Sequence, residues 1–72
     1  MNEELLAKYI IDNDVYDIYA VYHSFEEMNT RKVSYYEVYQ GEFCINEGYP
    51  LYSMPSWDEV RRSYCAPDAC GN

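Results

Sequence analysis

Alternating apolar and polar positions mark the middle of the chain as β structure. Residues 15–22, VYDIYAVY, alternate and are rich in β-branched and aromatic side chains, which favours a strand. Residues 33–39, VSYYEVY, alternate in the same way and predict a second strand. Gly41 can adopt the positive φ of a tight turn, and residues 43–46, FCIN, then predict a short third strand. These segments predict a three-stranded antiparallel meander.

The N-terminal segment shows helical spacing instead. In residues 3–11, Leu5 and Tyr9 are four positions apart, as are Leu6 and Ile10, so they would form one apolar stripe on a helix. The sequence Asp-Asn-Asp at 12–14 favours a turn and would end this helix.

A second helix is predicted over residues 57–65. Ser56 is a suitable N-cap, and Glu59 lies three positions later, where a capping box requires an acid or amide. Trp57, Val60 and Tyr64 would line one side of this helix.

The segment 23–32 is open to two interpretations. Ser24 and Glu27 have the spacing of a capping box, which predicts a helical turn. Asn29 and Thr30 would equally suit the tip of a long hairpin that pairs the two flanking strands directly. We favour the hairpin slightly, because the β-rich stretches on either side would then pair directly.

The predicted fold class is α+β: an N-terminal helix, a three-stranded antiparallel β-meander and a C-terminal helix. The chain of 72 residues is expected to form a single domain over 1–72, with 66–72 as a frayed tail. Both helices should cover one face of the sheet and leave the other face to water.

Composition separates this chain from a generic small fold. It contains ten tyrosines, and thirteen acids outnumber five lysines and arginines, which gives a net charge of −8. Such a charge disfavours direct binding to nucleic acid and to anionic membranes. The acidic N-terminus lacks a signal-peptide pattern, and the odd number of cysteines suits a reducing compartment, so we expect a cytoplasmic protein.

Catalytic and metal chemistry find little support in the residue spacing. His23 is the only histidine, and no nucleophile or acid is placed to act with it. Cys44, Cys65, Cys70 and His23 could together bind zinc, but they lack the paired, close spacing of known zinc sites. We therefore expect no enzymatic activity, no catalytic residue, no metal and no cofactor.

The tyrosines and acids of the two main strands form the candidate partner-binding site. Alternation sends Tyr35, Glu37 and Tyr39 to one face, and Asp17 and Tyr19 join them if the register points both acids outward. Glu42, in the following turn, completes the set. Tyrosine is enriched at protein interfaces, and interleaved acids would attract a basic surface.

Two functions fit this composition. In the first, the chain is an inhibitor that occupies the basic nucleic-acid-binding surface of a larger protein, of the phage anti-defence type, either anti-CRISPR or anti-restriction. The host cytoplasm of a bacterium would then be its location. In the second, it is a non-enzymatic adaptor or regulatory subunit that docks through exposed tyrosines. The sequence leaves a homodimer open.

Overall fold

A computed structural model describes residues 2–64 of the chain. Its described elements, in chain order, are β1 (Asn2–Ile11), β2 (Asp14–Tyr22), α1 (Phe25–Asn29), β3 (Tyr35–Gln40), β4 (Phe43–Cys44) and α2 (Trp57–Tyr64). The strands form one antiparallel sheet in the order β1-β2-β3-β4. The predicted arrangement of an N-terminal helix, a three-stranded meander and a C-terminal helix is therefore wrong, because strands come first and the sheet has four of them.

The segment 3–11 is a strand because a bulge hides its alternation. β1 pairs along its length with β2, but the register shifts between Leu5 and Ala7. The extra residue, Leu6, places two apolar side chains next to each other and breaks the two-residue period. As a result the apolar residues recur four positions apart, as they would in a helix. Both Leu5 and Leu6 are exposed.

The Asp-Asn pair before β2 forms the turn of a hairpin. Asp12 and Asn13 have φ values of 53° and 73°, and Ile11 pairs with Asp14 across them. Two consecutive residues with positive φ suit the right-handed twist of a tight hairpin, and Asp and Asn tolerate this conformation. The turn at 12–14 that was expected to end a helix therefore joins two strands.

The segment 23–32 contains α1 with Ser24 as its N-cap, so the favoured interpretation of Asn29 and Thr30 as a hairpin tip is wrong, although β2 and β3 do pair directly. The Ser24 side chain accepts a hydrogen bond from the Glu27 backbone N–H at 3.1 Å, and the Glu27 carboxylate accepts one from the His23 backbone N–H at 3.2 Å. Arg31 ends the segment with a φ of 60°. Its guanidinium contacts both carboxylate oxygens of Glu4 at 2.8 Å, which ties this connection to β1.

The second capping box forms as predicted and positions α2. The Ser56 hydroxyl accepts from the Glu59 backbone N–H at 3.1 Å, and the Glu59 carboxylate accepts from the Ser56 N–H at 2.8 Å. Val60 is fully buried, whereas Trp57 is 44% exposed and donates its indole N–H to the Ile10 carbonyl at 3.1 Å. The predicted end at residue 65 and the predicted frayed tail lie outside the described residues.

Val21 is fully buried on one face of the sheet, but the main core cluster lies on the other face, which we call the apolar face. Its strand residues alternate inward, and Val60 of α2 packs with them. The buried members of this cluster are Ile11, Tyr16, Ile18, Val38 and Val60.

Asn46 closes the outer edge of β3, where β4 is too short to pair with it fully. Its Oδ1 accepts from the Val38 N–H at 3.0 Å, and its Nδ2 donates to the carbonyls of Tyr36 and Tyr49 at 3.2 and 3.3 Å. The Leu51 carbonyl then accepts from the Tyr36 N–H at 2.8 Å. The side chain of Asn46 thus stands in for a neighbouring strand and holds the segment 46–51 against the sheet.

Candidate protein-binding site

Five of the six predicted site residues lie together on the face opposite the core. Asp17 pairs with Tyr39, and Tyr19 pairs with Glu37, so these four side chains share a face. Tyr35 lies two residues before Glu37 on β3 and therefore points the same way. We call this set, Asp17, Tyr19, Tyr35, Glu37 and Tyr39, the tyrosine–acid face.

The sixth predicted residue is not part of this set. Glu42 lies in the turn between β3 and β4 and is exposed. It has no strand partner in the described sheet, so the pairing register does not place its side chain on either face.

Two of the three rings on this face pack against each other, and none of the three is fully exposed. Tyr19 and Tyr39 make an edge-to-face contact with ring centroids 5.3 Å apart and an interplanar angle of 75°. All five side chains of the tyrosine–acid face are half-buried. Their conformations are thus largely fixed before any partner arrives, which lowers the entropic cost of binding.

Asp17 is already neutralised by a neighbour on β1. The Lys8 ammonium lies 2.9 Å from the Asp17 carboxylate, and the two residues are partners in the β1–β2 register. This ion pair leaves Glu37 as the acid of the tyrosine–acid face that has no cationic partner among residues 2–64.

Glu37 sits in surroundings that disfavour its charge. Burial raises the pKa of its carboxyl group, and the negative charges of Glu3 and Glu47 raise it further. A hydrogen bond with Tyr39 acts in the opposite direction, because it favours the ionised form. A hydrogen bond with Glu3 also raises the pKa, because a hydrogen bond between two carboxyl groups forms only when one of them is protonated.

One oxygen of this carboxylate is left without a partner. Oε1 of Glu37 is buried and has no hydrogen-bond partner among the described residues. Native proteins rarely leave a buried acceptor unpaired, because its lost hydration is not replaced.

Burial and the same carboxylates raise the pKa of the neighbouring hydroxyl and thiol groups. Burial, followed by the charges of Glu37 and Glu3, raises the pKa of Tyr39 to about 12. Burial also raises the pKa of Tyr35 and of Cys44 above their ordinary values. Tyr39, Tyr35 and Cys44 are therefore neutral at neutral pH, and the negative charge of the site resides on its carboxylates.

An open cavity of about 510 Å³ adjoins Glu37 on the side of the segment 46–51. Tyr35, Glu37 and Cys44 line it from the sheet, and Glu47 and Tyr52 line it from the segment that Asn46 anchors. His23 lines it too, from the start of the connection to α1. The volume lies within the ~300–1,000 Å³ range of small-molecule pockets.

The cavity residues His23, Cys44 and Glu47 do not form a metal site with any other described residue. Within residues 2–64, no three side chains of histidine, cysteine, aspartate or glutamate are close enough together to hold a metal ion. Two members of the zinc set considered from the sequence, Cys65 and Cys70, lie outside the described residues. The absence of a metal therefore stays a prediction.

Glu3, Glu47 and Tyr52 belong to this site but were not predicted from the sequence. Glu3 was missed because the N-terminal segment was interpreted as a helix; as a strand residue opposite Val21, it reaches the tyrosine–acid face. Glu47 directly follows Asn46, whose side chain bonds to β3, and Tyr52 directly follows Leu51, whose carbonyl accepts from the Tyr36 N–H; the sequence gives no local signal for either contact.

No protein family, curated protein or solved structure gives a significant match to this chain. Within residues 2–64, neither helix has the length or the apolar character needed to cross a bilayer.

Proposed function

We propose that this chain is a small inhibitor that binds the basic, nucleic-acid-binding surface of a larger protein through its tyrosine–acid face. The proposal is supported chiefly by Glu37, a half-buried carboxylate on the face of Tyr19, Tyr35 and Tyr39 that has no cationic partner within the described part of the chain. Such a carboxylate lowers the stability of the folded state, and a lysine or arginine from a partner would supply the missing counter-charge.

The net charge of −8 adds a long-range attraction to this local one. A negative field steers a basic protein toward the chain and repels nucleic acid, so the two would compete for the same surface. The rings would supply contact area at low entropic cost. Inhibition of this kind suits a phage anti-defence protein of the anti-CRISPR or anti-restriction class that acts in the bacterial cytoplasm without enzymatic activity.

The alternative, an adaptor that docks through its tyrosines, is favoured by one observation. Lys8 neutralises Asp17, so the face carries less free charge than its sequence suggests. Salt separates the two functions, because binding through charge weakens strongly as salt rises, whereas binding through aromatic contact does not.

The test begins by capturing the partner from a bacterial lysate with the tagged chain. Its identity alone decides nothing; the decisive step measures whether the chain displaces a fluorescent oligonucleotide from the purified partner, by fluorescence anisotropy. We expect stoichiometric displacement that weakens at high salt. Binding of the chain and the oligonucleotide at the same time, with no competition, would contradict the inhibitor and favour the adaptor.

The displacement assay needs a matched pair of variants. Glu37→Gln removes one charge from the tyrosine–acid face, and Glu26→Gln removes one from the exposed first turn of α1. The two variants have the same net charge, so a loss confined to Glu37→Gln assigns the effect to the face. Equal losses would show that only the overall charge matters.

A further inference from the structure

We infer that the cavity beside Glu37 receives one arginine side chain of the partner. This inference rests on the proposed function for the source of the arginine, but the chemistry of the cavity can be tested without a partner. Four features of the cavity support it: its charge, an unpaired acceptor, its aromatic walls and the hydrogen bonds that preform it.

The charge of the cavity is negative and has no internal counter-ion. Glu37 and Glu47 line it, and no lysine or arginine of residues 2–64 does. Glu3 is close enough to raise the pKa of Glu37 and so adds to the same field. A cationic group that enters the cavity would therefore meet carboxylates that no described ion pair has neutralised.

The unpaired acceptor is Oε1 of Glu37, which is buried and has no partner among residues 2–64, and Glu37 is one of the residues that line the cavity. A planar guanidinium has several N–H donors in a fixed fork that matches both oxygens of a carboxylate. The terminal torsion of a glutamate side chain has broad preferences, so the carboxylate can turn to offer Oε1 to a ligand. A guanidinium would thus satisfy the acceptor that the described chain leaves unsatisfied.

Two tyrosines give the cavity aromatic walls. Tyr35 lines it from β3, and Tyr52, which is 76% exposed, lines it from the segment that follows β4. A guanidinium interacts favourably with aromatic faces and is more weakly hydrated than an ammonium, so it loses less on leaving water. This combination of aromatic and carboxylate groups favours arginine over lysine.

The cavity is also held open before binding. Asn46 makes hydrogen bonds to Val38, Tyr36 and Tyr49, and it accepts one from the Cys44 thiol at 3.2 Å. These bonds fix the segment that carries Glu47 relative to β3. A preformed site needs little rearrangement to bind a side chain.

The probe for this site is N-acetyl-arginine amide, titrated into the full chain and followed by NMR. The neutral isostere N-acetyl-citrulline amide has almost the same shape and serves as the ligand control. We expect saturable shifts for amides at the cavity, such as Cys44, Glu47 and Gly48, with the arginine probe and none with citrulline. N-acetyl-lysine amide should bind more weakly than the arginine probe.

Two variants assign the binding to the cavity, and one controls for net charge. Glu37→Gln and Glu47→Gln should each weaken the arginine probe about threefold or more, the scale of an exposed ion pair, while Glu26→Gln should not. Glu47 is exposed, so Glu47→Gln keeps the test valid even if Glu37→Gln were to perturb the fold.

Absence of saturable shifts, equal binding of citrulline or lysine, or equal weakening by Glu26→Gln would each overturn the inference. Its failure is distinguishable from failure of the proposed function. If the probe binds but the chain does not displace an oligonucleotide from its partner, the inhibitor proposal fails alone. If displacement occurs but the probe does not bind, the cavity inference fails alone.

Discussion

Neighbouring residues on β2 and β3 face two very different surroundings. Ile18 and Val38 pair across the strands on the apolar face, and both are fully buried. One position along each strand, Tyr19 and Glu37 pair on the tyrosine–acid face, where both are half-buried and one carboxylate oxygen has no partner among residues 2–64. The apolar face buries only well-packed side chains. The tyrosine–acid face instead buries a polar atom without a hydrogen-bond partner among residues 2–64, and such local departures from stable packing are typical of functional sites.

The largest expected effect comes from truncating the apolar face. Ile18→Ala should lower the free energy of unfolding by about 2–5 kcal/mol, because it removes buried methyl groups and leaves a cavity. In a domain this small, that loss would unfold a large share of the molecules. Urea denaturation followed by circular dichroism measures it. Tyr19→Ala, one residue away, should cost clearly less; an equal or larger cost would mean that the two faces contribute alike to stability.

The next effect concerns Asn46, which links the sheet to the cavity wall. Asn46→Ala should cost about 1–3 kcal/mol for each buried group left unpaired, with the Val38 N–H as the first of these. Asn46→Asp keeps that acceptor but places a buried negative charge against the carbonyls of Tyr36 and Tyr49, so it should cost at least as much as Asn46→Ala. Denaturant titration of both variants checks the order, and a neutral Asn46→Ala would contradict the role given to this side chain.

A smaller effect, on affinity rather than stability, is expected from the aromatic part of the tyrosine–acid face. Tyr39→Ala should cost about 2 kcal/mol of affinity for the partner, mostly as faster dissociation, because interface energy concentrates in a few aromatic anchors. Surface plasmon resonance gives both rate constants. Unchanged kinetics in a folded Tyr39→Ala protein would place the binding site elsewhere.

The smallest expected effect is a pH dependence at the alkaline end. The pKa of Tyr39 is raised to about 12 from 10.0, so the folded state holds this proton more tightly than the unfolded state. Its contribution to stability is complete below pH 10.0 and is lost as the pH rises through about 12. Tyr39→Phe has no hydroxyl to ionise and should lose less stability over that window than the parent. Identical losses in denaturation experiments would contradict the burial of this hydroxyl.

The sequence predicts the parts of the fold that depend on local patterns. The alternation of β2 and β3 places Tyr35, Glu37 and Tyr39 on one face, and the capping box at Ser56 and Glu59 starts α2. The N-terminal strand was missed because the bulge at Leu6 disrupts its alternation. That error also hid Glu3, whose charge dominates the surroundings of Glu37 after burial itself.

Two other features follow from contacts that are distant in sequence and so cannot be read from a pattern. Lys8 neutralises Asp17 only because β1 is a strand in the observed register. One wall of the cavity is held by Asn46, which bonds to residues eight and ten positions away. Pattern analysis places side chains on faces, but it does not reveal which of them pair.

Glu37→Gln is the sharpest test of the role proposed for the Glu37 carboxylate, which should destabilise the fold while it strengthens binding to the partner. Its folded pKa is raised above the ordinary 4.5, so its contribution to stability is present below pH 4.5 and is lost as the pH rises through the folded value. Glu4, whose pKa is lowered chiefly by its hydrogen bond with Arg31, contributes with the opposite sign, so the comparison must be made between variant and parent.

The measurement is the free energy of unfolding and the dissociation constant for the captured partner, both at neutral pH, for Glu37→Gln beside Glu26→Gln. We expect Glu37→Gln to be more stable than the parent and to bind the partner more weakly, through slower association and a flatter salt dependence. Glu26→Gln should change neither property appreciably. A Glu37→Gln protein that binds as tightly as the parent, or that is less stable than the parent, would contradict the proposed role of Glu37 in binding.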